Sequence, residues 1–524
     1  MAQSRQTMTQ RAPIPVIDLF AGPGGLGEGF SSLVDSQGER RFEIKVSIEK
    51  DEIAHRTLSL RALFRSFPDG KAPDCYYDYA RGKITRQQLF AHYAAFEHGQ
   101  RVLREARCAE LGKTPHQTID EWIRKAVGDA SEWALIGGPP CQAYSLAGRS
   151  RLRPGNAEAF ESDKRHFLYT EYLRIIKLFG PSVFVMENVK GMLNSKHGGT
   201  PIFDRILADL RNPGGGSTYL VRSLVVDGDE PKPLDYLIES ENFGVPQRRH
   251  RVILFGVRSD VAAAMPSHAR GAGKFKLKAS TKTVSVDAAL SGLPALRSRL
   301  SVKEDSHALW RSVLKTAPIS LKLWRMPIRS NIEEMMSKAW RDAEAHESHG
   351  SKFDDRPIAL GDALPPQLRK WIHDPRLGGV AQHEARSHMA SDLHRYMFAS
   401  CYAARLGYSP NLRQFPPKLL PAHKNMESDE IPFVDRFRVQ IAGDPSSTVV
   451  SHICKDGHYF IHPDPSQCRS LTVREAARLQ TFPDSYFFEG NRTQQYHQVG
   501  NAVPPWLARQ IAEVVFDFIQ AARR

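Results

Sequence analysis

Cys141 is the residue of this sequence whose surroundings best suit nucleophilic chemistry. It follows residues 137–140, Gly-Gly-Pro-Pro, which come directly after the apolar run 133–136. Two consecutive prolines fix φ and cannot extend a strand ladder or enter a helix interior, so the backbone before the sulfur is stiff. A thiolate held in this way is well aimed as a nucleophile. Taken alone, the motif leaves open that Cys141 is an inert buried cysteine.

A carboxylate and a pair of cations are predicted near the same place. Glu187 ends an apolar strand, and the carboxyl ends of strands in an open α/β sheet form the edge where ligands bind. The run from Gln247 to Arg251 leads into another strand. Because side chains alternate along a strand, Gln247, Arg249 and Arg251 should share one face, which is then doubly cationic. In isolation, Glu187 could be a cap or ion-pair partner and the basic run a solvated surface.

The element that opens the chain suits a ligand with a sugar. An apolar strand at 16–20 runs into the glycine-rich loop 21–27, whose backbone amides can approach a ligand at the start of a helix. The glycine spacing differs from the GxGxxG of dinucleotide sites. The next apolar stretch, 42–48, ends at Glu49. An acidic residue at the tip of a second strand can bind the two hydroxyls of a ribose.

Two helices are predicted near the C-terminal end of the sequence. Residues 471–480 predict a short helix, with Thr472 and Glu475 in capping-box spacing and Pro483 as a stop. The loop 498–505 is followed by an amphipathic stretch that predicts a closing helix.

Composition indicates a large globular protein with an affinity for polyanions. The chain has 524 residues, 41% of them hydrophobic, and 72 Lys and Arg against 58 Asp and Glu, for a net charge of +14. Such an excess is typical of surfaces that neutralise nucleic-acid phosphates. Six cysteines without a CxxC pair do not form a disulfide framework. No apolar segment resembles a membrane span or a secretory signal, so we expect a cytoplasmic, nucleoid-associated protein.

These blocks, in this order, resemble the cytosine-C5 DNA methyltransferase family of bacterial restriction-modification systems. The resemblance covers residues 15–256 and about 470–517, and its motifs are FxGxGG from Phe20, PPCQ around Cys141, ENV from Glu187, QxRxR from Gln247 and GNxV around Asn501. It implies an α/β fold: a doubly wound, Rossmann-like sheet that binds S-adenosylmethionine, and a second, smaller target-recognition domain. We expect a catalytic domain over 13–260 with a helical insertion at about 81–130, a recognition domain over 261–469 and a return segment over 470–524.

The resemblance implies a role for each residue of the predicted reaction centre. Cys141 would add to C6 of a cytosine and make C5 nucleophilic. Addition loads electron density onto N3 and O2, so Glu187, carrying a proton, would donate at N3 and Arg251 at O2. Arg249 resembles the second arginine of the family, which supports the site. The base that removes the C5 proton is not identified.

The resemblance also implies cofactor and DNA contacts. The positions that match the family's S-adenosylmethionine site are Phe20, Gly22, Gly24, Gly25, Glu49, Pro140, Leu168 and Asn501. Lys50 stands where relatives often carry an adenine-stacking aromatic, and Asp78 is our prediction for the residue that holds the adenine amino group. A basic loop after Cys141 should close over DNA, with Gln142, Ser145, Arg149 and Arg151 as predicted DNA contacts. Gln247, in the run before a later strand, is a further predicted DNA contact.

The sequence thus predicts a DNA (cytosine-5)-methyltransferase that acts on a flipped-out base in duplex DNA, as a monomer, with a cognate restriction endonuclease as a possible partner. A tRNA cytosine methyltransferase and a catalytically silent nucleic-acid-binding homologue are the alternatives. A nicotinamide oxidoreductase is disfavoured by the glycine spacing. The histidines and cysteines between 452 and 468 match no familiar zinc spacing, so no metal is predicted. The target sequence cannot be deduced from a single chain.

Overall fold

The computed structural model describes residues 12–140, 168–197, 200–228, 230–266, 274–421 and 434–523. Five residues predicted to act in the reaction or to contact DNA lie outside the described residues: Cys141, Gln142, Ser145, Arg149 and Arg151.

The strands of the described chain vary from long sheet-forming segments to two-residue bridges. They are β1 (Ile14–Leu19), β2 (Phe42–Glu49), β3 (Ala106–Cys108), β4 (Ala134–Gly137), β5 (Val183–Val189), β6 (Lys196–His197), β7 (Thr200–Pro201), β8 (Tyr219–Arg222), β9 (Leu237–Glu239), β10 (Gln247–Arg248), β11 (His250–Arg258), β12 (Arg299–Leu300), β13 (Gly350–Asp354), β14 (Val380–Glu384), β15 (Ser387–His388) and β16 (Ser446–Ser447).

The α-helices of the described chain lie between and after these strands. They are α1 (Gly25–Ser31), α2 (Glu52–Arg65), α3 (Asp74–Ala80), α4 (Arg86–Tyr93), α5 (Glu97–Glu105), α6 (His116–Val127), α7 (Leu168–Phe179), α8 (Ile202–Arg211), α9 (Ser259–Ala264), α10 (Val286–Leu290), α11 (His307–Thr316), α12 (Arg329–Asp342), α13 (Pro366–Ile372), α14 (Ala390–Leu406), α15 (Val473–Leu479), α16 (Arg492–Asn501) and α17 (Pro505–Ala522).

One sheet of eight strands organises the first part of the chain. Its order is β3-β2-β1-β4-β5-β11-β8, with β9 also paired to β11. The strands from β3 to β5 are parallel, whereas β11 runs antiparallel to β5, β8 and β9. Strands buried on both faces need nearly continuous apolar sequence, which is why the apolar runs at β4 and β5 are readable from the sequence. The predicted doubly wound α/β fold is confirmed.

Helices cover both faces of this sheet. On one face, Val16, Ile44 and Val185 pack with α1 and α17, and on the other, Ile17 and Leu135 pack with α6, α7 and α8. The α1–α17 contact is close enough to require glycine.

A β-carbon added at Gly29 of α1 would lie 2.4 Å from the Ala508 Cβ of α17. The end of the chain therefore completes the layer that carries the first glycine-rich loop.

The helical insertion predicted at about 81–130 is correct only in part. Helices α4, α5 and α6 lie there, but residues 106–108, which we predicted to be helical, form strand β3. The free edge of β2 supplies hydrogen-bonding groups that outweigh a local helical preference. Because β3 extends the sheet and α6 packs on β1 and β2, the extra segment lies between α2 and β3. We call residues 66–105 the insertion.

A second core lies in the middle of the chain. We call residues 274–468 the middle region; residues 422–433 of it are not described. Its own apolar core includes Trp310, Trp324, Met336 and Phe398, from α11, α12, α14 and the segment between α11 and α12. This core is separate from the two layers on the sheet, as expected for a second, smaller domain.

Two buried ion pairs lie where the chain leaves the middle region and returns to the sheet. Arg469 donates from Nη1 and Nη2 to the two carboxylate oxygens of Glu475, both at 2.7 Å. Glu475 also accepts the Thr472 amide at 2.7 Å, which completes the predicted capping box of α15. Arg478 forms a second two-bond pair with Asp484, both bonds at 2.9 Å. All four charged side chains are buried.

Candidate active site

Glu187 and Arg251 form an ion pair at the edge of the sheet. Glu187 is near the end of β5, and Arg251 lies in the antiparallel neighbour β11, opposite Val189. Arg251 Nε is 2.8 Å from Glu187 Oε1, and each side chain is 14% exposed. The pair is therefore accessible from one side and held by the sheet on the other, so a planar ligand at this edge can contact both.

The backbone that leads to Cys141 runs directly against this pair. A β-carbon at Gly138 would lie 2.8 Å from Glu187 Oε2, so only glycine permits the close approach. One residue further, the Pro139 carbonyl accepts a 3.2 Å hydrogen bond from Asn188 Nδ2. Pro140, a predicted cofactor contact, is half-buried and is the last described residue before Cys141.

Arg249 lies behind the pair and is buried. Its Nη1 donates to the carbonyls of Val449 at 2.9 Å and Gly500 at 3.2 Å, whereas Nε has no hydrogen-bond partner among the described residues. Burial and the neighbouring Arg251 lower the pKa of Arg249 well below its usual range, and Glu187 opposes this shift. Arg249 thus connects the edge that carries Glu187 and Arg251 to the segments around Val449 and Gly500.

The glycine-rich loop after β1 folds back onto Glu49. Gly22 donates its amide to Glu49 Oε2 at 2.8 Å, and the Asp51 amide donates to Oε1 at 2.8 Å. Burial raises the pKa of Glu49, while these two amides lower it. Phe20, half-buried between strand and loop, has φ of +56°, a strained value for a bulky residue.

Gly24 and Gly25 hold the loop against the returning chain. Gly24 caps α1 with φ of +100°, and a β-carbon at Gly25 would lie 2.2 Å from the Val503 carbonyl oxygen. The Tyr486 hydroxyl donates to the Pro23 carbonyl in the same loop. The predicted ligand loop is therefore shaped by residues from 486 to 503 as well as by its own glycines.

Leu168 and Asn501 lie at the margins of the described site. Leu168 begins α7 and is near Gly112 in the loop after β3, where an added β-carbon would be 3.8 Å from Leu168 Cδ2. Asn501, the last residue of α16, is exposed and follows Gly500, whose carbonyl accepts from Arg249.

Asp78 lies away from this edge. It belongs to α3 in the insertion and pairs with Arg81 at 3.1 Å and Lys83 at 3.4 Å. Our choice of Asp78 depended on treating everything after residue 81 as inserted. Since β3 is the strand next to β2, the acidic residue that follows the neighbouring strand is Glu110.

Glu110 is the acidic residue that follows β3, and it was not identified from the sequence. The adjacent Ala109 amide donates to the Glu49 carbonyl at 3.0 Å, and Lys50 Nζ lies 3.7 Å from Glu110 Oε1. A signal was present, because Glu110 comes shortly before the amphipathic helix α6.

The prediction that Gln247 contacts DNA is wrong, because its side chain is completely buried. Gln247 Nε2 donates to the Leu479 carbonyl and to Gln480 Oε1, both at 3.1 Å, and its Oε1 accepts the Val449 amide at 2.6 Å. Strand β10 also pairs with β16 of the middle region. Gln247 joins three parts of the chain.

Replacing Gln247 with alanine should therefore destabilise the fold and leave the electrostatics of DNA binding unchanged. The change leaves the buried Val449 amide and the buried Leu479 carbonyl without their hydrogen-bond partners, at a cost of about 1–3 kcal/mol each. Urea unfolding would measure the loss of stability, and the dependence of DNA affinity on salt concentration should keep its slope. Weaker binding of the folded variant to DNA at every salt concentration would restore Gln247 as a DNA contact, because a neutral side chain does not set the slope. Gln37→Ala, at an exposed position, is the matched control.

A buried carboxyl lies under the ligand loop. Asp18 of β1 is fully buried, and neither of its oxygens has a hydrogen-bond partner among the described residues. Burial is the largest cause that raises its pKa to about 8, with further increases from Glu49 and Glu105 and an opposing effect of Arg65. Asp18 is therefore mostly protonated at neutral pH.

This shift gives Asp18→Asn a pH-dependent signature. The unfolded chain loses the Asp18 proton near pH 4 but the folded protein keeps it to about pH 8. Between these values Asp18 makes stability fall as pH rises, by at most about 1.4 kcal/mol per pH unit. Asp18→Asn should remove this contribution, so its advantage over the wild type grows from pH 5 to pH 8 in urea titrations. Asp69→Asn, at an exposed position, should show no such growth.

Comparison with known proteins identifies the family. Residues 90–517 match the family described as C-5 cytosine-specific DNA methylase. The chain belongs to this family. The predicted family and the enzyme class, DNA (cytosine-5)-methyltransferase, are thereby confirmed.

Individual members of the C-5 cytosine-specific DNA methylase family match nearly the whole chain. Type II methyltransferase M.Bpa9945I of Bacillus paralicheniformis is 31% identical over 96% of this chain and 99% of its own length. Type II methyltransferase M.AgeI of Thalassovita gelatinovora is 26% identical over 95% of this chain and 98% of its own. A solved Escherichia coli structure, provisionally named as a prophage-encoded DNA modification methyltransferase, superposes with a TM-score of 0.51 at 17% identity, over 97% and 99% of the two chains, and supports the fold alone.

The candidate histidine and cysteine cluster has partners inside the protein. His458 Nδ1 is 2.7 Å from the Tyr396 hydroxyl, and His462 Nδ1 accepts the Asp464 amide at 3.1 Å. Among the described residues, no group of three acidic, histidine or cysteine side chains is arranged to hold a metal ion. None of the described helices has the length and apolarity needed to cross a membrane.

Proposed function

We propose that the protein transfers a methyl group from S-adenosyl-L-methionine to carbon 5 of a cytosine in a specific duplex DNA sequence. The observation that carries the proposal is the pair of Glu187 and Arg251, 2.8 Å apart, with the Gly138 backbone against the same carboxylate. A carboxyl group that could donate to N3 of a pyrimidine after taking up a proton thus stands beside a guanidinium that could donate to O2. Cys141 is only three residues beyond Gly138.

The residues at the ends of β1 and β2 suit this cofactor, whose sulfonium supplies an electrophilic methyl group. Each oxygen of Glu49 accepts one backbone amide and keeps a further lone pair, which a ribose hydroxyl can use. Glu110, rather than Asp78, would accept from the adenine amino group. Phe20, Gly22, Gly24, Gly25, Pro140, Leu168 and Asn501 would flank the rest of the ligand.

Three residues of the chain would carry out the reaction: Cys141, Glu187 and Arg251. The Cys141 thiolate forms an Sγ–C6 bond, and the electron pair displaced from the C5–C6 double bond makes C5 nucleophilic. Protonated Glu187 donates at N3 and Arg251 at O2, where negative charge develops. C5 would take the methyl group as the methyl–sulfur bond of the donor breaks, and the electron pair of that bond would stay on the donor sulfur. A base would then remove the C5 proton, and the released electron pair would re-form the C5–C6 double bond as the Sγ–C6 bond breaks and the thiolate leaves.

The target base must leave the duplex to reach this edge. Carbon 5 is reachable by the thiolate and the cofactor together only when the cytosine is flipped out. The net charge of +14 favours binding to duplex DNA. Gln142, Ser145, Arg149 and Arg151 remain our predicted contacts on the loop after Cys141.

The biological setting we propose is a restriction-modification or related defence system. The support is that M.Bpa9945I and M.AgeI are named type II methyltransferases. The enzyme would act as a monomer in the cytoplasm, on nucleoid DNA, because a flipped base needs a single pocket. A cognate endonuclease that cuts the unmethylated site would be its partner.

Transfer of labelled methyl groups tests the proposal. Wild-type protein, mixed-sequence duplex DNA and tRNA would be compared, with bisulfite mapping of the products. We expect C5 methylation of DNA at one short sequence, abolished in Cys141→Ser and preserved in Cys108→Ser, a control at an exposed cysteine. Methylation of tRNA alone, or cofactor binding without transfer, would contradict the proposal and favour the two alternatives.

A further inference from the structure

The insertion packs on the middle region as well as on the sheet domain. One apolar cluster contains Leu60 and Leu63 of α2, Tyr76 and Tyr77 of α3, and, from the middle region, Leu377 and Ala381. All six side chains are buried. Helix α3 therefore lies between two bodies that each have a core of their own.

Arg376 of the middle region is fixed to the insertion by several contacts. Its Nη1 donates to the Gly70 carbonyl at 3.2 Å, and its Nη2 donates to Asp74 Oδ1 at 2.7 Å. The guanidinium carbon is 4.6 Å from the centre of the Tyr77 ring, a cation–π distance. The Tyr77 hydroxyl donates to Asp374 Oδ2 at 2.9 Å. The turn at residues 374–377 is thus held through both side chains and backbone.

Arg81 of the insertion makes the reciprocal contact. Its Nε donates to the Leu377 carbonyl at 3.1 Å and its Nη2 to the Arg376 carbonyl at 2.5 Å. Asp78 lies 3.1 Å from Arg81 Nη1 and orients this side chain. The two arginines therefore interlock across the contact, each donating to backbone of the other segment.

The insertion also binds the returning chain through Glu489. This nearly buried carboxylate accepts from the Tyr79 hydroxyl at 2.7 Å and from Arg86 Nε at 3.1 Å, and Arg56 of α2 lies 3.3 Å away. The insertion is consequently anchored on three sides: to α2, to the middle region and to the return segment.

A second attachment of the middle region lies at the opposite end of the sheet. There β10 pairs with β16, and Gln247 accepts the Val449 amide. The insertion adjoins β2 and β3, whereas β10 leads into β11, four strand positions from β2. With about 4.8 Å between strands, the two attachments are separated by about 19 Å along the sheet. The edge with Glu187 lies between them.

We propose that the insertion is a brace that fixes the orientation of the middle region relative to the sheet domain, with Arg376 and Tyr77 as positioning residues for DNA engagement. The middle region also packs on the return segment, where Arg474 Nε donates to the Ala381 carbonyl at 2.9 Å, and the insertion adds a contact on the β2 side that further restrains rotation of the middle region. The effect on DNA rests on the proposed function. The cations at this contact are paired: Arg81 and Arg86 of the insertion with Asp78 and Glu489, and Arg376 of the middle region with Asp74. A brace therefore explains them better than a phosphate-binding surface.

Two variants and two readouts test the brace. Arg376→Ala removes both hydrogen bonds and the ring contact, and Tyr77→Phe removes only the bond to Asp374. Spin labels on unnatural residues at exposed Glu121 and Glu334 would report the distance between the two bodies. We expect Arg376→Ala to broaden the distance distribution. If the competent orientation falls to about one fifth of the population, the KM for DNA rises about fivefold with kcat and cofactor affinity unchanged.

Tyr77→Phe should give a smaller change in the same direction. Arg104→Ala, which breaks an exposed pair with Glu97 inside the insertion, should change neither readout. An unchanged distance distribution in Arg376→Ala would overturn the brace. A broader distribution with an unchanged KM would overturn its role in DNA engagement. The distance measurement needs no DNA, so it remains decisive even if the wild type fails to methylate DNA and the proposed function is wrong.

Discussion

Glu187→Ala should lower kcat/KM for methyl transfer by about 10²–10⁴-fold, the usual contribution of a positioned proton donor. The reason is that Glu187 is the acidic group at the reaction edge, 2.8 Å from Arg251 and in contact with the backbone before Cys141. Cofactor affinity, measured by calorimetry, should change little because Glu49 and the glycine-rich loop lie on other strands. Steady-state methylation of duplex DNA is the measurement.

Glu241→Ala is the matched control for this change. Glu241 has the same 14% side-chain exposure and lies 2.8 Å from His250, one residue from Arg251, yet it faces away from the proposed base. Its loss should cost less than tenfold in kcat/KM. Glu187→Gln would separate hydrogen bonding from proton transfer, because an amide can donate a hydrogen bond at N3 but cannot transfer a proton. Near-wild-type activity in Glu187→Ala would remove Glu187 from the mechanism.

Glu475→Gln should cost about 3–5 kcal/mol of unfolding free energy, because it leaves the buried Arg469 charge without its counter-ion. Both partners are almost completely inaccessible, and the two 2.7 Å bonds between them are charge-assisted. The pair lowers the pKa of Glu475 well below its usual range, so the carboxylate is ionised at neutral pH. Urea titration at pH 7, followed by tryptophan fluorescence, would give the difference.

An exposed pair supplies the comparison for Glu475. Glu344 is 67% exposed and pairs with Arg311 on the surface of the middle region. Surface pairs contribute at most about 1 kcal/mol, so Glu344→Gln should be nearly neutral. Equal effects of the two substitutions would mean that the Arg469–Glu475 pair contributes no more than a surface pair.

Much of the sheet, and the meeting of Glu187 and Arg251 at one of its edges, could be predicted from local sequence. The apolar runs of β4 and β5 are long enough to need burial on both faces, and each is followed by residues with chemical function. The alternation rule placed Arg249 and Arg248 on opposite faces, and in the structure Arg249 is buried and Arg248 exposed. These features depend on neighbours a few residues away, which is why a single sequence contains them.

The predictions that the structure does not support concern residues whose environment depends on contacts between distant segments. Gln247 has a polar side chain within a basic run, and its burial follows from Val449, Leu479 and Gln480, which are more than 200 residues further along the chain. Strand β3 has three residues and no alternating pattern, and it forms because the edge of β2 is free. Asp78 was predicted, and Glu110 overlooked, for the same reason, since only the pairing of β3 shows which acidic residue follows the next strand.

The packing of α17 on α1 can form only late in the synthesis of the chain. More than 470 residues separate the two helices in the chain, and ribosomes add about 5–20 residues per second. The apolar face of α1, which includes Phe30, therefore stays uncovered by α17 for roughly half a minute to a minute and a half, until Ile511 and Val515 have been synthesised. Until then the glycine-rich loop lacks the Val503 and Tyr486 contacts that shape it. A nascent chain is thus exposed to chaperones and proteases for most of its synthesis, and competence to bind a ligand at this loop comes only with the final helix.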